Sequence, residues 1–211
     1  DVATVLRHSD GRAHHQLDEL DVQIPVSAPG KILCLGLNYM DHIAEGPFEK
    51  QQFPAIFMRS ATSLVALNKP ILAPSMSDSM DYEAELAVVI GKSCKHLKAD
   101  NALDVIAGYS CFNDGSVREY QRHTIQWTMG KNFDQTGPFG PLLVTPDELP
   151  PGADGLKIEC RLNGQTVQSS TTDMMIFKVV ETLVYITEAM TLEPGDIAVM
   201  GTPSGVGHGR K

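Results

Sequence analysis

The chain has 211 residues, 42% hydrophobic and 20% charged, with 17 Lys and Arg against 26 Asp and Glu and a formal charge of −9. This is the balance of an ordinary globular domain that can bury a core without disulfides, and it argues against a basic nucleic-acid surface. No apolar run approaches the ~20 residues of a membrane helix, no secretory leader is visible, and Cys34, Cys94, Cys111 and Cys160 stand at neither CxxC nor zinc spacing, so a cytoplasmic chain with reduced thiols is expected.

Residues 1–30 read as a polar lead-in with short strands at 4–6 and 22–24. The apolar run 31–35, bounded by Gly30 and Gly36, predicts a buried strand, and 38–45 predicts a short helix capped by Asn38. Residues 46–62, punctuated by Gly46, Pro47 and Pro54, predict a loop with a strand at 57–59 inside it. Further short strands are expected at 63–66 and 71–73, and a strong one at 83–91. A helix at 99–105 leads into a strand at 106–112, followed by a polar, helix-like 116–124. Strands at 142–144 and 157–162 come next; Asn163-Gly164 then predicts a tight hairpin into 165–168. Residues 177–190 have helical periodicity, and 197–200 is a last strand running into Gly201-Thr202-Pro203. Many short strands without βαβ alternation predict an α+β, mainly β domain.

Several residues in this frame can carry chemistry. Glu83 and Glu85, two apart on a strand, share a face, with Asp81 joining them if the strand extends that far. Acids at the mouth of a buried strand are either solvated or neutralised, and a hard divalent ion would neutralise such a pair. Asp114, just past strand 106–112, is either an ordinary turn residue or a third ligand. His42 and Glu45, at i and i+3, form either a surface pair or an oriented base that takes a proton from water. Arg118 and Gln121 follow Asp114 by four and seven residues, on a helical face that can point back toward it. Lys131 lies between apolar groups, and Gly201 and Thr202 offer an N–H and a hydroxyl at a strand end. The remaining histidines, including His208, sit in polar segments without such a context.

Taken in order, segments 36–45, 81–92, 113–121, 130–133 and 201–207 resemble the fumarylacetoacetate hydrolase family, so the resemblance covers residues 31–207. It implies a mixed β-sheet roll or barrel with short peripheral helices, formed by 31–211 after the lead-in, and a homodimer. It implies Mg²⁺ or Mn²⁺, with Ca²⁺ a further option, held by Glu83, Glu85 and Asp114 and acting on a small diketo or oxo acid. In that picture His42 with Glu45 activates water, while Lys131, Arg118 and Gln121 stabilise developing negative charge. Gly201 and Thr202 touch the substrate, and Arg59 adds an anion contact. The implied reaction is hydrolysis of a C–C bond in a 2,4-diketo acid of the acylpyruvate kind. The alternatives on the same scaffold are an oxaloacetate-type decarboxylase, an isomerase of a 2-hydroxyhepta-2,4-diene-1,7-dioate-like substrate, or a non-catalytic binding protein. Two departures stand out. Leu35 replaces a fourth carboxylate ligand of the animal hydrolase, leaving three protein ligands, and the strands that follow segment 207–211 in relatives are not in this sequence.

Overall fold

Alternation along the strands decides what each face of the sheet buries. The computed structural model describes residues 16, 19–43, 50–66 and 68–210, so the strand predicted at 4–6 and the end of helix 38–45, with Glu45, lie outside the described residues. In chain order the elements are β1 (Ile32–Gly36), α1 (Met40–Ile43), β2 (Ala55–Arg59), β3 (Leu64–Val65), β4 (Met80–Asp81), β5 (Ala84–Ile90) and β6 (Ile106–Asn113). They continue with β7 (Ser116–Val117), α2 (Arg118–Gln121), α3 (Thr128–Lys131), β8 (Gly137–Pro138), β9 (Lys157–Leu162), β10 (Gln165–Thr171), α4 (Val179–Ala189) and β11 (Ile197–Val199). The architecture is α+β around a sheet, as expected.

The main sheet has the order β2-β1-β11-β5-β6, with β1 and β11 parallel and every other pair antiparallel. Both faces are covered, which explains why β1, and β5 from Leu86 to Ile90, are apolar without interruption. Leu33, Leu35, Val88, Ile90 and Met200 pack on one side against Val179, Leu183 and Ile186 of α4. Ile32, Cys34, Ala87, Val89 and Val199 form the other side with Phe112 and Phe139. The β9–β10 hairpin turns at Asn163 and Gly164, both at positive φ (52° and 78°), the geometry the Asn-Gly pair is suited to. Among the described residues, no helix is long and apolar enough to cross a membrane.

Other local expectations changed. Residues 22–24 and 71–73 form no strand, and 142–144 contributes a single bridge, Val144 to Tyr109. Residues 102–105 are 3₁₀ rather than α-helix, and 116–124 splits into β7 and α2. Asn38 is fully buried and serves two distant segments instead of a helix end. Its Nδ2 donates to the carbonyls of Met200 (2.7 Å) and Phe177 (3.0 Å), and its Oδ1 accepts from Phe177 N at 2.8 Å. Asn38→Ala should therefore leave buried backbone groups unpaired and lower stability by about 3 kcal/mol, read by urea unfolding.

Candidate active site

Three acids come together because β5 and β6 are in register. Ala84 pairs with Asn113 and Glu85 with Phe112, and the ladder runs on through Asp114 N donating to Glu83 O at 2.9 Å. Glu83 and Asp114 are therefore opposite one another, with Glu85 two residues along on the same face. One carboxylate oxygen from each lies within 4.8 Å of the others, and all three side chains are buried.

Buried like charges need compensation. Lys131, from α3, places Nζ 2.7 Å from Glu83 Oε2 and 2.6 Å from Asp114 Oδ2. Arg118, from α2, reaches the other Glu83 oxygen at 2.5 Å and Asp81 Oδ2 at 2.8 Å. Arg59, from β2, takes Asp114 Oδ1 at 2.5 Å. Glu85, by contrast, accepts from the Gly201 N–H at 2.6 Å and has no cationic partner among the described residues. Burial, reinforced by the charges of Asp114 and Glu83, pushes the Glu85 carboxyl well above the usual range. Burial also acts against the Glu83 carboxylate, but Lys131 and Arg118 more than offset it and hold that group down at about 2. Three converging hard oxygen donors, one of them short of positive charge, suit a divalent cation of the Mg²⁺, Mn²⁺ or Ca²⁺ kind.

A cavity of about 200 Å³ opens over this cluster. Glu83, Lys131 and Thr202 form its buried floor, His42, Gln121 and Trp127 its walls, and Arg122 and His208 its exposed rim. A larger space of about 640 Å³ between β6 and β9 has mostly apolar walls, such as Tyr109, Leu142 and Ile158, and does not include His42 or Lys131. Glu85 lines this larger space, whereas Glu83, Lys131, Arg118 and His42 face the smaller cavity.

The sequence-predicted residues fall into three groups. Glu83, Glu85, Asp114 and Lys131 converge on one cluster, and His42, Arg118, Gln121 and Thr202 line the cavity with Lys131 and Glu83. The helix α1 that carries His42 is tied down by Asp41, whose Oδ2 accepts from Ser170 Oγ (2.9 Å) and Ser204 Oγ (3.3 Å). Arg118 and Gln121 bond each other at 3.0 Å, and Arg118 turns to Glu83 and Asp81 rather than to Asp114. Arg118 Nη2 is buried with no hydrogen-bond partner among the described residues. Arg59 stands behind the cluster, spending its donors on Asp114, Gly115 O, Ser63 and Thr136, so it is a brace for Asp114 and not a cavity residue. Gly201 likewise gives its N–H to Glu85, leaving none for an anion. Glu45 is outside the described residues.

Sequence reasoning missed Trp127, Arg122, His208 and Gln168. Gln168 is buried; its Oε1 accepts from Ala84 N, and its Nε2 donates to Thr202 Oγ1 (2.8 Å) and Pro203 O (2.9 Å). The lone tryptophan in a polar stretch was the one available signal, since a large apolar ring outside any periodic segment needs a place to pack.

Residues 31–211 match the family described as fumarylacetoacetate (FAA) hydrolase, C-terminal. A mitochondrial oxaloacetate tautomerase of Rattus norvegicus is 44% identical over 190 residues, covering 89% of this chain and 60% of that protein. The chain thus spans about three fifths of that curated relative's length. Among solved structures, 2-hydroxyhepta-2,4-diene-1,7-dioate isomerase from Mycobacterium marinum superposes with a TM-score of 0.81 at 36% identity, over 94% of this chain and 72% of that one. A fumarylacetoacetate hydrolase from Exiguobacterium antarcticum does so with a TM-score of 0.81 at 39% identity, over 89% and 67%.

Proposed function

This chain belongs to the fumarylacetoacetate hydrolase family, and on that premise we propose that it interconverts the keto and enol forms of a small 2-oxo dicarboxylic acid of the oxaloacetate class, with Mg²⁺ or Mn²⁺ as cofactor. The observation that carries this reading is one small cavity with Glu83 of the carboxylate triad in its floor and two imidazoles, His42 on its wall beside that floor and His208 at its exposed rim. Keto–enol exchange needs only a group that removes a proton from C3 and a site that accepts charge on the C2 oxygen. The hydrolysis implied by the sequence resemblance needs, in addition, a positioned water. The tautomerase and isomerase names of the relatives support the simpler chemistry.

In this reading Glu83, Glu85 and Asp114 would hold the ion, whose positive charge would stabilise an enolate when it is bound. His42 takes the proton from C3 and passes it to the C2 oxygen, so one C–H bond is exchanged for one O–H bond and no co-reactant is consumed. Lys131, oriented by Glu83 and Asp114, donates toward the oxygen that gains charge. Arg118 Nη2 and Gln121 meet the carboxylate next to the carbonyl, and Trp127 keeps that wall dry.

The test is the decay of enol oxaloacetate followed by its ultraviolet absorbance, with Mg²⁺ and with EDTA, beside assays of decarboxylation and acylpyruvate cleavage. Metal-dependent loss of the enol is expected, with His42→Ala slowing it at least about 100-fold while metal binding persists. Acylpyruvate cleavage outpacing enol loss, or an unaffected His42→Ala variant, would sink this reading.

A further inference from the structure

The loop after β11 is fastened from behind, residue by residue. Gly201 N is held by Glu85, the Thr202 hydroxyl donates to Ala84 O at 3.0 Å, and Gly205 O accepts from the Tyr82 hydroxyl at 3.0 Å. At its far end Asp81 takes over. Asp81 Oδ1 accepts from Gly207 N at 2.8 Å, and Oδ2 accepts from His208 N at 3.0 Å while also holding Arg118 Nε. A side chain at 207 would set its Cβ 2.5 Å from Asp81 Oδ1, so only glycine lets the carboxylate come this close. With backbone 207–208 turned onto Asp81, Val206 and His208 line the cavity.

The cavity is graded from floor to rim. Glu83, Lys131 and Thr202 are almost fully buried, whereas His208 and Arg122 are exposed at its mouth. A substrate whose oxo-acid head sits on the buried cluster presents its other end to the rim. We propose that His208 donates a hydrogen bond to the distal carboxylate and sets a preference for dicarboxylic over monocarboxylic acids, and that Asp81 is the residue that positions it. This rests on the cavity assignment made above and adds a substrate contact to it.

Malate and lactate share a 2-hydroxy acid head and differ by the distal carboxylate, and neither is turned over by keto–enol exchange. Their binding to the protein with Mg²⁺ by calorimetry therefore reads the contact without reading activity. The wild type should bind malate about tenfold more tightly than lactate, in keeping with one hydrogen bond to a charged group. His208→Ala should erase that ratio and leave lactate binding unchanged, and His208→Gln should restore part of it. His208 lies on an exposed turn, so these variants leave the core intact. Asp81→Asn should lower the ratio in the same direction, and adding it to His208→Ala should lower it no further. An unchanged ratio in His208→Ala, or no preference in the wild type, overturns the contact. A ratio that survives Asp81→Asn overturns the positioning role. Enol turnover by the wild type judges the tautomerase reading separately.

Discussion

Adding Mg²⁺ or Mn²⁺ at a hundredfold excess over its dissociation constant should raise the melting temperature by about 5–10 °C, and Glu85→Gln should abolish that rise. A ligand at such excess that binds only the folded state contributes about 2.7 kcal/mol, and in a domain of this size each kcal/mol moves the transition by about 2–4 °C. The variant's second effect is less intuitive: without metal it should be more stable than the parent at neutral pH. Glu85 lies buried beside two other carboxylates, and its protonated form is favoured in the fold. A group whose folded pKa is raised contributes stability that is fully present below its unfolded value and lost as pH rises through the folded value. The metal-free parent should accordingly weaken from acidic toward neutral pH, and glutamine, neutral throughout, should remove that slope. For the same reason metal binding by the parent should weaken as pH falls, because the ion must displace a proton. Thermal melts with EDTA and with metal, at several pH values, read all of this. A metal response that survives in Glu85→Gln would remove Glu85 from the ligand set.

Lys131→Met should have the largest effect on the resting protein. The ammonium is buried and bridges Glu83 and Asp114, and these carboxylates together raise the lysine's pKa against the pull of burial. Removing it leaves two facing carboxylates in the interior with only Arg118 and Arg59 on their outer sides. Breaking a buried pair in this way costs about 3–5 kcal/mol. A divalent ion can replace part of the lost charge, so the deficit in urea unfolding should be larger with EDTA than with Mg²⁺. Turnover with Mg²⁺ present should fall at least about 100-fold, since the donor to the charged oxygen is gone. Equal destabilisation with and without metal would argue that the lysine and the ion act at separate places.

The acid cluster was legible because it obeys a local rule. Period-two alternation puts Glu83 and Glu85 on one face, and a strand ending just before Asp114 brings the third acid opposite them. The partners of those acids were far less readable. Arg59 and Asp114 are 55 positions apart, so nothing in their own neighbourhoods marks them as a pair, and Gln168, which braces the Ala84 backbone beside the acids, lies 84 positions from it. The same holds for β4, β7 and β8, each two residues long, which exist because another segment pairs with them, whereas β3 falls inside the strand expected at 63–66. Residues 22–24 and 71–73 have strand-like composition but join no strand ladder, Leu72 N making only a single backbone bond to Gln135 O at 3.1 Å. His208 was passed over because its role depends on a turn that a carboxylate more than a hundred residues away holds in place.

The sheet order also dictates when the site can come into being. β11, the last strand among the described residues, lies between β1 and β5, joining the half that carries His42 to the half that carries the acids. β5 and β6 can pair as soon as both have been synthesised, so the three carboxylates gather early. The sheet that carries β1, and α1 with His42 after it, becomes continuous with β5 when residues 197–199 slot between the halves, a contact spanning 165 positions from Ile32 to Ile197. A ribosome-bound chain that stops short of that strand would carry an assembled acid cluster and two unsatisfied inner edges ready to pair with another chain.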